Sequence, residues 1–177
     1  MIQLKLPASR EDLAKLRAGD AVLLSGFLYT ARDAAHQRLV KLLNDDEPLP
    51  FDLRGAAIYY AGPSPAPEGL PIGSCGPTTS ARMDAYAPAL LRQGHNVMVG
   101  KGPRSCEVVA AMKESGSVYF AATGGAGALL AMRVKAVEPV CFEDLGTEAI
   151  RKLTVEDFPV IVAIDAEGGG LFAAQEG

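Results

Sequence analysis

Arg32, Thr78, Thr79, Arg82 and Lys101 are the residues whose types and spacing offer chemistry. They sit in three segments with one layout: in YTARD, GPTTSAR and VGKG an apolar run ends, the chain turns, and a cation follows at the turn or in the first helical turn. Two guanidinium groups can grip carboxylates bidentately, and an ammonium adds a mobile point charge. Helix N-termini at such junctions add backbone N–H donors and the positive end of a dipole. If the preceding strands run parallel in one sheet, their ends share the edge where α/β folds bind ligands. A dianion is the natural guest. Any one of these cations alone reads as an ordinary surface residue; three at matching junctions favour a shared site.

Thr78 and Thr79 add hydroxyls one turn before Arg82. A threonine hydroxyl is a poor base unless neighbours stabilise its alkoxide, so alone these residues read as phosphate ligands or helix caps. Beside Arg82 a catalytic role becomes arguable for Thr78, with Thr79 and Asp33 in support. His36, one turn into the segment after Arg32, reads either as an acid, base or carboxylate-positioning group, or as a helix-face histidine satisfied by local hydrogen bonds. His95 follows Gly94 and reads as a solvated loop residue. No Ser-His-Asp layout or HExxH motif is present.

Nucleotide loops fail on their own terms. A Walker loop built on Gly100-Lys101 needs glycine where His95 stands and Ser or Thr where Gly102 stands. The dinucleotide fingerprint starting at Gly125 needs glycine where Leu130 stands. Cys75, Cys106 and Cys141 are odd in number and far apart, which suits neither a disulfide framework nor the tight CxxC spacing of zinc and many iron–sulfur sites, although three distant cysteines could converge in space on a cluster. They read as small, semi-buried residues of a reducing compartment, and no metal ligands are assigned.

The elements that must hold these residues follow from periodicity. Ser9 with Glu11 and Asp12 predicts a capped helix through Leu13 and Leu16, ended by Gly19. Residues 21–30, AVLLSGFLYT, predict a buried strand with Gly26 as a bulge or close-approach point. Ala35, Leu39, Leu42 and Leu43 then fall at helical spacing. AAIYYAG and NVMVGKG predict strands, and a helix around Met83 to Leu91 must kink or restart at Pro88. RSCEVVAAMKESG predicts a helix stopped by Gly116, SVYFAAT a strand, and GGAGALLAMRV a turn into a helix. VKAVEPV and PVIVAIDAEGGGLFAA predict the last strands, with a hairpin turn at 167–170. The fold class is α/β, with residues 1–177 forming one domain.

Composition narrows the function classes. Of the 177 residues 49% are apolar and 21% charged, a folding composition rather than a disordered one. The net charge of -4 argues against a nucleic-acid surface. No apolar run reaches the roughly 18 residues of a membrane span, and the first residues lack a signal-peptide core. The expectation is a cytoplasmic protein.

GDAVLLSGFLYTARDAAHQRL, GPTTSARMD, GKG and DLG…DFPVIVAID, in that order between about residues 5 and 172, resemble the β subunit, equivalently the C-terminal domain, of class I iron-sulfur fumarases and L(+)-tartrate dehydratases. The resemblance implies a swivelling β/β/α domain with a mixed sheet and flanking helices. It implies an α subunit that supplies three cysteines to a 4Fe-4S cluster, which this chain alone would not bind, and it allows a homodimer of such heterodimers. By motif match Arg32, Arg82 and Lys101 bind substrate carboxylates. Thr78 is the implied base for the C3 proton of malate, with an α-subunit aspartate as acid.

The chemistry is coherent. Proton removal beside a carboxylate builds charge that clustered cations stabilise, while an open iron acts as a Lewis acid on the departing hydroxyl. Ala31 stands where tartrate dehydratase β subunits carry a cysteine, which favours interconversion of (S)-malate and fumarate. Tartrate dehydration to oxaloacetate and a related hydro-lyase such as mesaconate hydratase are the enzymatic alternatives. A dicarboxylate-binding assembly module is the non-enzymatic one.

Overall fold

The computed structural model describes residues 1–123 and 125–172. The described residues form seven strands and five helices, in the order β1 (Ile2–Lys5), α1 (Arg10–Ala14), β2 (Ala21–Thr30), α2 (Asp33–Asn44), β3 (Ala57–Tyr59), α3 (Ala87–Arg92), β4 (Val97–Gly100), α4 (Cys106–Ser115), β5 (Val118–Ala121), α5 (Gly127–Ala131), β6 (Val134–Cys141) and β7 (Ile150–Ile164). Short 3-10 turns cover Ser80–Met83 and Glu143–Glu148.

Local chemistry explains most boundaries. Ser9 Oγ accepts from Asp12 N at 3.1 Å and Ser105 Oγ from Val108 N at 3.3 Å, so two helices start on serine caps. Gly116 ends α4 in the left-handed conformation, φ 68°, that only glycine adopts without strain. Pro88 lies in the first turn of α3, so the chain restarts there rather than kinking.

One mixed sheet closes on itself. β2, β3, β4 and β5 are parallel neighbours, and β7 runs antiparallel to both β5 and β2. β1 and β6 extend β2 and β7. Because side chains alternate across a strand, the ring buries one set inside, including Leu24, Leu28, Tyr59, Val99, Phe120, Phe158 and Val162. The opposite set, including Ile58, Tyr60, Met98 and Tyr119, packs beneath α2, α3 and α4. Gly26 allows the closure: it has φ 128°, the β2–β7 register shifts beside it, and a Cβ there would lie 2.2 Å from Leu6 O.

One expectation needs correction. The last strand begins at Ile150, nine residues before the PVIVAID run, and its residues 151–161 pair along the full length of β2. The turn after it is organised by Asp165, whose Oδ1 accepts from Glu167 N and Gly169 N. Among the described residues it closes with an isolated antiparallel bridge, Ile164 to Gly170, as a hairpin turn does. The end of the expected LFAA strand lies outside the described residues.

Candidate functional site

The parallel strands bring their C-terminal ends to one edge, and backbone hydrogen bonds draw the connecting loops together there. Ala31 N donates to Tyr59 O (3.0 Å), Tyr60 N to Val99 O (2.8 Å), Thr78 N to Tyr60 O (2.6 Å) and Ser80 N to Lys101 O (2.9 Å). Thr79 also forms a parallel bridge with Lys101. Arg32 therefore leaves β2, Thr78 to Arg82 lie above β3, and Lys101 leaves β4, all on the same edge. The three cation-bearing junctions are joined through backbone, although their side chains arrive there by different means.

Arg32 is the residue that opens α2. Its Nε lies 3.7 Å from Glu148 Oε1 and 3.9 Å from Asp33 Oδ1. These separations allow Coulombic attraction but exceed hydrogen-bond length, and all three atoms are buried without a hydrogen-bond partner. The guanidinium is thus held between two carboxylates without being saturated by them. Gly62 makes room, since a Cβ there would lie 3.0 Å from Arg32 Cδ. Glu148 ends a turn fastened by Arg151, which donates to Gly146 O at 2.9 Å. Arg38 grips Asp144 in the same turn through two hydrogen bonds.

Thr78 is half-buried, whereas Thr79 and Arg82 are exposed and Lys101 is half-buried. Among the described residues neither Arg82 nor Lys101 forms an ion pair. The order of their loops comes from below. Arg104 is fully buried, its Nε donating to Asp84 Oδ1 at 2.7 Å while Asp84 Oδ2 accepts from Ser105 N at 2.8 Å. Its guanidinium carbon lies 5.2 Å and 4.9 Å from the ring centroids of Tyr60 and Tyr119, a desolvated cation–π sandwich. Arg104, Asp84, Tyr119 and Glu148 escaped sequence reasoning. Arg104 is the first residue of the segment expected as a helix and was given no role of its own, because its partners are scattered along the chain.

His36 and His95 are both buried. His36 Nδ1 lies 2.9 Å from Arg32 O and His95 Nδ1 lies 2.8 Å from Ala56 O. A carbonyl can only accept, so each ring carries a proton on Nδ1, and burial keeps both rings neutral at neutral pH. Burial lowers His36 to about 4 and His95 to about 3. His36 thus braces the backbone at Arg32. His95 is not the solvated loop residue expected: Gly94, at φ 96°, turns the chain inward and the ring satisfies the carbonyl just ahead of β3.

The cysteines separate. Cys75 is buried and its thiol is pushed up to about 12 by burial, Cys141 is half-buried, and Cys106 is exposed rather than semi-buried. Among the described residues no group of His, Cys, Asp or Glu side chains is placed to hold a metal. These residues therefore do not fit an iron–sulfur cluster. No described helix is long and apolar enough to cross a membrane.

The family model described as fumarase C-terminus matches residues 1–175. Fumarate hydratase 2 of Leishmania major is 39% identical over 97% of this chain and 31% of its own length. The aerobic class I fumarate hydratase of Escherichia coli (strain K12) is 42% identical over 91% of this chain and 30% of its own length. A Methanocaldococcus jannaschii protein named "Putative L(+)-tartrate dehydratase subunit beta" is 41% identical over 93% of this chain and 87% of its own length. The chain thus spans about a third of the fumarate hydratases it matches and most of the shorter relative. With the motifs, the sheet edge and the match along nearly its whole length in agreement, the chain belongs to the fumarase C-terminus family.

Proposed function

We propose that the chain is the β subunit of a two-subunit hydro-lyase that interconverts (S)-malate and fumarate. The observation that carries this reading is the joining of Arg32, Thr78, Arg82 and Lys101 on one sheet edge, with Arg82 and Lys101 free of ion pairs among the described residues. On this reading Arg32, Arg82 and Lys101 bind the two carboxylates, and Thr78 accepts the proton from the carbon beside one of them. That transfer builds negative charge on the adjacent carboxylate, which preorganised cations stabilise. Arg32 contributes through a charge that its two carboxylate neighbours moderate but do not saturate.

The remaining chemistry belongs to a partner corresponding to the rest of the longer fumarate hydratases, and an iron–sulfur cluster would reside there. The isolated chain is then inactive. The complex works in the cytoplasm, where an exposed thiol such as Cys106 stays reduced. The dehydration of L(+)-tartrate is the second reading, supported by the shorter relative, of which this chain covers 87%.

Anaerobic co-expression with the cluster-bearing partner, followed by separate assays of malate and tartrate dehydration, tests both readings. Malate turnover exceeding tartrate turnover is the expected result. The reverse ratio selects the second reading, and turnover of neither rejects both.

A further inference from the structure

One phenol ties the two loops of the candidate site together. Tyr119, on β5, has its hydroxyl 2.8 Å from Gly102 O, the residue after Lys101, and 2.8 Å from Ser80 Oγ, the residue after Thr79. Gly102 O can only accept, so the phenol proton is committed to it, and Ser80 Oγ must donate to Tyr119 Oη. Burial pushes the phenol up to about 12, which keeps that proton in place at neutral pH. The direction of both hydrogen bonds is therefore fixed by chemistry alone.

The surroundings are shaped for this link. Gly100 has no side chain where a Cβ would lie 2.0 Å from Ser80 Oγ, so glycine at this position lets the serine reach the phenol. Arg104 covers the Tyr119 ring and holds Asp84 at the end of the Ser80–Met83 turn. Ser80 N donates to Lys101 O, closing a ring of contacts that runs Ser80, Tyr119, Gly102, Lys101 and back to Ser80. A loop pair held at three points keeps a defined spacing even though Arg82 and Lys101 above it are exposed or half-buried.

We propose that Tyr119 is a positioning residue that fixes the spacing between the Thr78–Arg82 loop and the Lys101 loop. The inference rests on the reading of these loops as the two sides of a dicarboxylate site. Geometry matters there because a displacement of about 1 Å in a positioned group can lower a rate by about 100-fold.

Tyr119→Phe is the direct test, because it keeps the ring under Arg104 and removes both hydrogen bonds. In the reconstituted complex kcat/KM should fall about tenfold or more while the melting temperature stays within a few degrees. A merely structural role would lower the melting temperature and leave kcat/KM of the folded enzyme unchanged, and that outcome overturns the proposal. Hydrogen exchange at the Ser80 amide of the same complex provides a readout independent of activity. It should accelerate about tenfold in Tyr119→Phe, and unchanged exchange overturns the link whatever the rate. Arg82→Ala in parallel separates the two ideas: if that variant keeps full activity the site reading fails, whereas an inactive Arg82→Ala beside a normal Tyr119→Phe defeats only the positioning role.

Discussion

The two corners of the sheet edge hold their cations in opposite ways. At the Arg32 corner the guanidinium itself is held, between Glu148 and Asp33 at 3.7 and 3.9 Å, with a neutral His36 bracing the backbone beneath it. At the other corner Arg82 and Lys101 are unpaired among the described residues, and the loops that carry them are held by Arg104, Asp84 and Tyr119. One corner moderates its charge and the other leaves it bare on an ordered backbone. On the proposed function, a site that binds a dianion and stabilises further charge as a proton leaves would benefit from both: a moderated cation for the carboxylate that keeps its charge, and strong fields where charge grows.

The largest difference should appear in stability. Arg104→Ala strands Asp84 below the loops, and breaking a buried pair by removing one partner costs about 3–5 kcal/mol. Urea unfolding of the chain checks this, and a loss below about 1 kcal/mol would mean that Arg104 does not hold this corner. Glu148 and Asp33 should show no comparable effect, since their pairing is loose.

Acid provides the next contrast. Folded His36 and His95 stay neutral down to about pH 4 and 3, while in the unfolded chain they take up protons near pH 6.5. The unfolded state therefore binds more protons below pH 6.5. Stability is complete above that value and falls progressively as the pH drops toward 3, by several kcal/mol for the two residues together, each pKa unit being worth about 1.4 kcal/mol. Melting temperature against pH gives the loss, and NMR of the ring protons should show no His36 titration between pH 7 and 5. A midpoint near 6 would mean that the Arg32 corner is not braced by a buried neutral ring.

Much of this arrangement is legible in the sequence, and what is not has physical reasons. Strand β2, the α2 stripe of Ala35 and Leu39, the serine-capped α1 and the Gly116 stop of α4 are local patterns, and local patterns survive in one dimension. The first half of β7 hid because Arg151, Lys152, Glu156 and Asp157 make it look like a surface segment. It is a strand because β2 and β6 flank it on both edges. The three cation junctions were readable from spacing. The network beneath them was not, because a buried arginine is defined by partners such as Tyr60, Asp84 and Tyr119 that only the fold brings near.

Kinetics sharpens the comparison further. In the reconstituted complex Thr78→Ala should lower kcat by about 100-fold or more, the scale of a lost general base, with little change in KM. If KM rises and kcat holds, Thr78 positions substrate and the proton goes elsewhere. The smallest effect belongs to Glu148→Gln. Removing one carboxylate from beside Arg32 should lower KM by a few-fold, in keeping with the modest energy of a partly exposed pair. An unchanged KM would show that Glu148 does not moderate that cation.

The most direct measurement of the central claim is turnover by Arg82→Ala in the complex with its partner, alongside a folding check on the chain. Arg82 is exposed and contributes no ion pair among the described residues, so its removal should leave the domain folded and its melting temperature unchanged. The account predicts loss of turnover by more than about 100-fold, a transition-state effect seen in kcat/KM. Near-normal turnover in a folded Arg82→Ala complex would contradict the account, because the sheet edge would then not be the dicarboxylate half-site.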